Sequence, residues 1–199
     1  MSSIPDKFDS QHPWTLTASG RTFSFGEKNQ KIYIKDLAAG LAKICRFAGA
    51  TTQFYSVAQH SVLVSQIALY NTRDYKTALC ALLHDAHEAF IGDVTMPAKC
   101  AINNAIGFDA IAIISERADE IIYNAFGLPW PLDDETAHEI KRADLSTLAT
   151  ELRDVMPETG RDWDHLPKPI NRVIQPWPWP KAEEKFLGQY EELNAMVRT

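Results

Sequence analysis

Hydrophobic residues recur at helical spacing along most of this chain. Ile34, Leu37, Ala38, Leu41 and Ile44 fall three and four residues apart, which predicts a first amphipathic helix running into Cys45, Arg46 and Phe47 and stopping at Gly49. A second helix is predicted over 56–70, opened by a capping box of Ser56 and Gln59, with Val57, Val64 and Ile67 on its inner stripe. A third covers 77–92, where Ala78, Leu79, Leu82, Leu83 and Phe90 face inward and Gly92 supplies a left-handed stop. Another spans 108–126, capped by Asp109 and stopped by Gly127 and Pro129, with Ile111, Ile114, Ala118, Ile121 and Ala125 inward. The helix over 133–156 takes Asp133 as N-cap and turns Ala137, Ile140, Leu148, Leu152 and Val155 to the core. Phe186, Leu187, Tyr190 and Leu193 mark a terminal helix.

Strand-like alternation is confined to Thr15-Leu16-Thr17 and Thr22-Phe23-Ser24-Phe25, which predict a small hairpin turning at Gly20. Beyond Gly92, residues 93–97 cannot prolong the helix and are expected to form a loop. Beyond Pro157 the chain is rich in Pro and Trp. Its run Pro176-Trp177-Pro178-Trp179-Pro180 resists helix and strand alike and predicts an extended strap, packed on the bundle because a terminal helix follows at once, with binding of a partner as the alternative. The expected fold is an all-α, single-domain helical bundle over 1–199. Its N-terminal hairpin or arm is 1–30, and its strap and last helix are 157–199. A chain of 199 residues, 45% hydrophobic, can bury one full core.

The polar residues that interrupt these apolar stripes carry the chemistry. His60 lies on the inner stripe of the second helix, and His84, Asp85 and Glu88 lie within the third. A lone histidine on an apolar face is most often a hydrogen-bonded core residue. Asp85 changes that balance, because a buried carboxylate needs a cation, and one divalent ion serves two histidines and a carboxylate together. Asp144, which interrupts the stripe of the 133–156 helix, is the fourth ligand; an ordinary surface pair with Lys141 or Arg142 is the alternative. Glu88, one turn beyond His84, is placed to reach a water at the ion.

Net charge and cysteines narrow the class further. A formal charge of −6 argues against a general nucleic-acid surface and leaves room for a local basic pocket around a free nucleotide. Cys45, Cys80 and Cys100 form no CxxC pair and read as buried thiols of a reducing cytoplasm. No apolar run approaches the roughly 18 residues of a membrane helix, and no signal pattern opens the chain, so a cytoplasmic protein is expected.

His60, the adjacent pair His84-Asp85 and the distant Asp144 resemble the H…HD…D signature of the HD superfamily of metal-dependent phosphohydrolases. HDAHEAFIGDVTMPAK, Arg46-Phe47 and SVAQHS are similar to segments of bacterial 5′-deoxynucleotidases and phage dATP triphosphohydrolases, over roughly 32–155. The resemblance implies one divalent ion (Zn, Co, Mn, Fe or Mg) and a small deoxynucleotide substrate, in a homo-oligomer of a bacterial or phage-infected cell. It gives Arg46 the phosphate, as a guanidinium fork suits, and Phe47 a neighbouring wall where relatives often have Trp. Asp93, Lys99 and Lys141 match family positions, Asp93 in a substrate or acid role with a turn residue bonding its own backbone as the alternative, and the lysines as phosphate contacts with ordinary surface lysines as the alternative. The implied reaction breaks the P–O5′ bond and releases phosphate from a monophosphate or triphosphate from a triphosphate. The wording of the motif leans towards the triphosphate. Against this stand three rivals: a metalloprotease, disfavoured because HDAHE is neither HExxH nor HxxEH; a non-catalytic nucleotide sensor; and a purely structural bundle, which leaves His60, Asp85 and Asp144 unexplained.

Overall fold

A computed structural model describes residues 12–158, 160 and 163–198. The first eleven residues of the expected arm, and 159, 161, 162 and 199, lie outside the described residues. The described residues form a bundle of α-helices with one two-stranded sheet. Its elements are β1 (Trp14–Leu16), β2 (Thr22–Ser24), α1 (Ile34–Lys43), a 3-10 turn (Arg46–Gly49), α2 (Val57–Thr72), α3 (Tyr75–Leu82), α4 (Glu88–Ile91), α5 (Met96–Ile106), α6 (Ala110–Ala125), α7 (Asp134–Asp154) and α8 (Trp179–Val197).

Helix α2 is the axis of the bundle. It packs against α1, α3, α7 and α8, and its run of small residues lets those neighbours approach on several sides. Val57, Ala58, Val64 and Ala68 are fully buried. Two hydroxyls on that surface are satisfied locally, Ser61 donating to the Val57 carbonyl and Ser65 to that of Ala78. Ser56 caps α2 by accepting from the Gln59 amide, but the expected reciprocal half of the box is absent. The Gln59 side chain instead accepts from Trp177 N and donates to the Gln175 carbonyl, fastening the strap to α2.

The hairpin pairs Trp14 with Ser24 and Leu16 with Thr22, around a turn in which Gly20 N bonds the Thr17 carbonyl. Asp36 of α1 holds it down, accepting from the hydroxyls of Thr17 and Ser19 and from Ser19 N. Phe23 is then pressed on Phe90 of α4 at a ring separation of 3.8 Å. On its other side α4 meets α1 through Gly40, where a Cβ would stand 3.0 Å from Ala89 Cβ. The short α4 is thus clamped between the hairpin and α1.

Several boundaries depart from the periodic reading. The first helix ends at Lys43, and Ile44 turns extended so that its carbonyl accepts from Val57 N while Arg46 N bonds the Tyr55 carbonyl. The helix expected over 77–92 breaks after Leu82. His84 Nδ1 bonds the Ala81 carbonyl at 2.8 Å, and the following amides of Ala86 and Glu88 bond three residues back, tightening the chain into turns before α4. Residues 93–95 do leave the helix, at Gly92 with φ 89°, but Pro97 sits in the first turn of α5 instead of prolonging the loop. Likewise Trp179 and Pro180 open α8, so only the residues up to Pro178 are strap.

Two inner faces are also rotated. In α7 Ala137 is exposed, and the buried line runs through Ile140, Ala143, Thr147 and Glu151. In α6 Ile114 and Ala125 are exposed, and Ala118, Ile121, Ile122 and Tyr123 form the core face. Of the thiols Cys80 alone is buried; Cys100 is exposed, and Cys45 lies outside any helix. No helix among the described residues is long and apolar enough to cross a membrane.

Candidate metal centre

Four side chains from three segments meet at one point. His60 comes from the first turn of α2, His84 and Asp85 from the tight turns after α3, and Asp144 from the middle of α7. His60 Nε2 lies 3.4 Å from His84 Nε2, 3.4 Å from Asp85 Oδ2 and 3.4 Å from Asp144 Oδ1. His84 Nε2 is 3.3 Å from Asp85 Oδ2. Ligand atoms about 2.1 Å from one ion stand about 3–3.5 Å apart, so this spacing fits a single cation. His60, His84 and Asp144 form one group able to hold a metal ion. The break after Leu82 matters here, because tight turns set the adjacent His84 and Asp85 towards the same point.

Outer partners fix both imidazoles. His60 Nδ1 is bonded to Glu151 Oε1 at 2.7 Å and His84 Nδ1 to the Ala81 carbonyl, leaving Nε2 of each ring for the centre. Asp144 divides its oxygens, with Oδ1 towards His60 and Oδ2 accepting from Lys141 Nζ at 2.9 Å. Burial and then Arg46 act to depress the His60 imidazole, yet Glu151, Asp144 and Asp85 together raise it well above its usual value. Asp144 resists burial and is lowered through His60 and His84.

Arg46 is buried in the 3-10 turn with NH2 3.1 Å from Glu151 Oε2 and NH1 3.5 Å from Asp85 Oδ2. Its guanidinium lies 5.2 Å from the centre of the Phe47 ring. Phe47 and Ala48 both hold left-handed backbone, φ 55° and 51°, a conformation costly for residues with a Cβ. Asp93 supports that turn, its Oδ2 accepting from Phe47 N at 2.7 Å.

Glu88 opens α4 at 5% exposure, and its Oε2 has no hydrogen-bond partner among the described residues. Burial, followed by the charges of Asp85 and Asp93, pushes its carboxyl up to about 9. Lys99, in the first turns of α5, is near enough for its charge to act on His87. Lys141 is 65% exposed at its side chain and is engaged by Asp144. The fold therefore gathers His60, His84, Asp85, Asp144, Arg46 and Glu88 closely, while Phe47, Asp93, Lys99 and Lys141 form the rim.

Two partners escape the periodic reading. Glu151, wholly buried, lies seven residues beyond Asp144 on the same face of α7, and that spacing was the available signal. Asp119 of α6 binds His87 Nδ1 at 2.9 Å, a pairing across 32 residues that no local pattern announces.

No protein-family model matches the chain. It is 38% identical over 151 residues to the uncharacterized protein YfdR of Escherichia coli (strain K12), covering 75% of this chain and 76% of that one. It is 29% identical over 191 residues to the uncharacterized protein RCAP_rcc00048 of Rhodobacter capsulatus, covering 90% and 95%. With that identity sustained over three quarters of both sequences, the chain belongs to the family of YfdR.

Proposed function

We propose that the protein is an HD-type, metal-dependent phosphohydrolase that cleaves the P–O5′ bond of deoxynucleotides. The observation that carries this reading is the convergence of His84 Nε2, Asp85 Oδ2 and Asp144 Oδ1 at 3.3–3.4 Å from their neighbours around His60 Nε2. Two imidazoles and two carboxylates suit a divalent ion of the Zn, Co, Mn, Fe or Mg series, whose charge Asp85 and Asp144 balance. Such an ion supplies Lewis acidity towards a phosphoryl oxygen and makes water more acidic at neutral pH.

The chain's own groups do the rest. A cation beside Asp85 would bring the raised Glu88 carboxyl back down and ionise it, and Glu88, with one free buried oxygen, would then take the proton of the attacking water as its oxygen bonds to phosphorus. Arg46, permanently charged and held by Glu151, stabilises the charge that gathers on the phosphoryl oxygens. Phe47 walls the adjoining space, Asp93 holds the turn that carries Phe47 in place, and Lys99 and Lys141 lie at the edge for more distant phosphate charge. The P–O5′ bond breaks, O5′ gains a proton, and nucleoside leaves with phosphate or triphosphate according to the nucleotide.

The test is release of phosphate and of triphosphate from a panel of deoxynucleoside mono- and triphosphates, after chelation and reloading with each of the five metals. Metal-dependent release of one of the two products is expected. No release with any metal, from protein that retains its ion, overturns the reading.

A further inference from the structure

We propose that the exposed face of α5 and of the first turns of α6 docks a second copy of this chain, across a two-fold axis that passes at Ile113. The association is independent of the chemistry proposed above.

Helix α5 is 11 residues long and buries none of them. A helix of that length is marginal in water without a packed face. Its outer side is apolar instead of charged. Met96, Ile102, Ile106, Phe108, Ile113 and Ile114 run along α5, round the turn at Gly107 and onto α6, each between 37% and 68% exposed. Taking about 200 Å² for a large apolar side chain, they present roughly 600 Å² to solvent, the upper end of what an ordinary monomer leaves uncovered. The exposed Ala98, Ala101 and Ala105 among them bring this face towards the ~800 Å² per partner of a standard interface. From Cys100 to Ser115 the only charged residue is Asp109, in a chain whose residues are 23% charged. Such a surface loses little by leaving water.

The charges at its border select a second copy. Ile113 is exposed midway between Asp109 and Arg117, four residues from each. Two α6 helices crossing antiparallel at Ile113 bring their Ile113 side chains together and set Asp109 of each copy opposite Arg117 of the other, so that both pairs form at once. Arg117 is exposed, and Asp109 caps the Ala112 amide with Oδ1, which leaves Oδ2 for the facing guanidinium. Glu116 falls opposite the small Ala110 and stays in water. An anionic membrane is the poorer occupant. The formal charge of −6 and the neighbouring acids Asp109 and Glu116 repel its headgroups, whereas helices that lie on membranes ring their apolar face with Lys and Arg. A second copy also steadies the helix that carries Lys99.

Sedimentation equilibrium of the full-length protein at about 1–100 μM tests the association. Wild type is expected to sediment as a dimer or an assembly of dimers. Ile113→Glu, which places two carboxylates at the axis, should weaken the contact by about 100-fold or more with an unchanged circular dichroism spectrum. The charges give the more specific readout. Arg117→Asp alone sets two acids together and Asp109→Lys alone sets two cations together, so each is expected to sediment at a lower mass than wild type. An equimolar mixture of the two should recover the wild-type mass, because each variant then faces its complement. A wild type that stays monomeric, whether or not it binds vesicles of anionic phospholipid, overturns the proposal. So does an assembly that Ile113→Glu leaves intact, or a mixture of the two folded charge variants that fails to associate. Should loss of the α6 cap keep Asp109→Lys from folding, Ile113→Glu and Arg117→Asp decide alone: an assembly that survives either is fatal.

Discussion

His60 Nδ1 and Glu151 Oε1 stand 2.7 Å apart, and both side chains are wholly shielded from solvent. The same carboxylate reaches Arg46 NH2 at 3.1 Å, so one acid sets the direction of both the His60 imidazole and the Arg46 guanidinium. Glu151→Gln keeps the shape and removes the charge, leaving Arg46 beside a neutral amide. We expect metal affinity to fall by about 10–100-fold and folding stability by about 3 kcal/mol or more. Calorimetric metal titration and denaturant unfolding check the two effects; an unchanged metal affinity refutes the orienting role.

Arg46→Lys separates substrate binding from metal binding. An ammonium cannot reach Glu151 and a phosphoryl oxygen with a planar fork, whereas the four proposed metal ligands do not depend on Arg46 for a donor atom. The expected result is full metal content with kcat/KM down about tenfold or more. Equal kinetics in the two proteins remove Arg46 from the phosphate.

Gly40 permits α1 to lie against α4, and a methyl group there meets Ala89 Cβ at 3.0 Å. Ala89 follows Glu88 directly, so Gly40→Ala moves the acid as well as the helix. Overpacking of this kind costs about 1–3 kcal/mol. The melting temperature should drop and kcat should fall while the His60 centre still loads metal. A variant as stable and as active as wild type shows that α4 yields freely.

The metal-free protein carries a pH signature of Glu88. Its carboxyl is raised by burial, then by Asp85 and Asp93, to about 9, above its unfolded value. A group raised on folding contributes its stability below the unfolded pKa and loses it as pH climbs through the folded one. Wild-type apoprotein should therefore lose stability relative to apo Glu88→Gln between about pH 5 and about pH 9. Unfolding in chelator at both ends of that window measures the difference. A gap that does not widen with pH contradicts the burial of an uncompensated carboxylate.

The helices were legible because their stripes repeat locally: Leu37, Leu41, Val64, Leu79, Leu82, Phe186 and Leu193 are all buried where the period puts them. The positions of His60, His84, Asp85 and Asp144 were legible for a different reason, being polar residues inside those stripes. What periodicity could not reveal was the break between α3 and α4, where the His84 ring competes for the Ala81 carbonyl and a continuous apolar pattern hides a change of direction. It also could not orient α7. Ala137 fits the period but faces solvent, while Glu151 looks like a surface residue until Arg46 and His60 are brought to it from more than 90 residues away. Long-range pairs such as His87 with Asp119 leave no trace in a window of one or two turns.

Glu88→Gln tests the proton-transfer step itself. Glu88 is buried at the start of α4 with one oxygen unpartnered, close to Asp85 and apart from the tight donor set around His60 Nε2. The amide preserves volume and can still hydrogen-bond, but it cannot accept a proton from water near neutral pH. Loss of a general base typically costs about 10²–10⁴-fold, so kcat should fall by that order while the ion bound by His60, His84, Asp85 and Asp144 survives. KM should change little if the substrate is held by Arg46, which isolates the loss in the chemical step. Near-normal turnover excludes Glu88 as the base, and loss of that ion instead assigns its carboxylate to the principal metal shell.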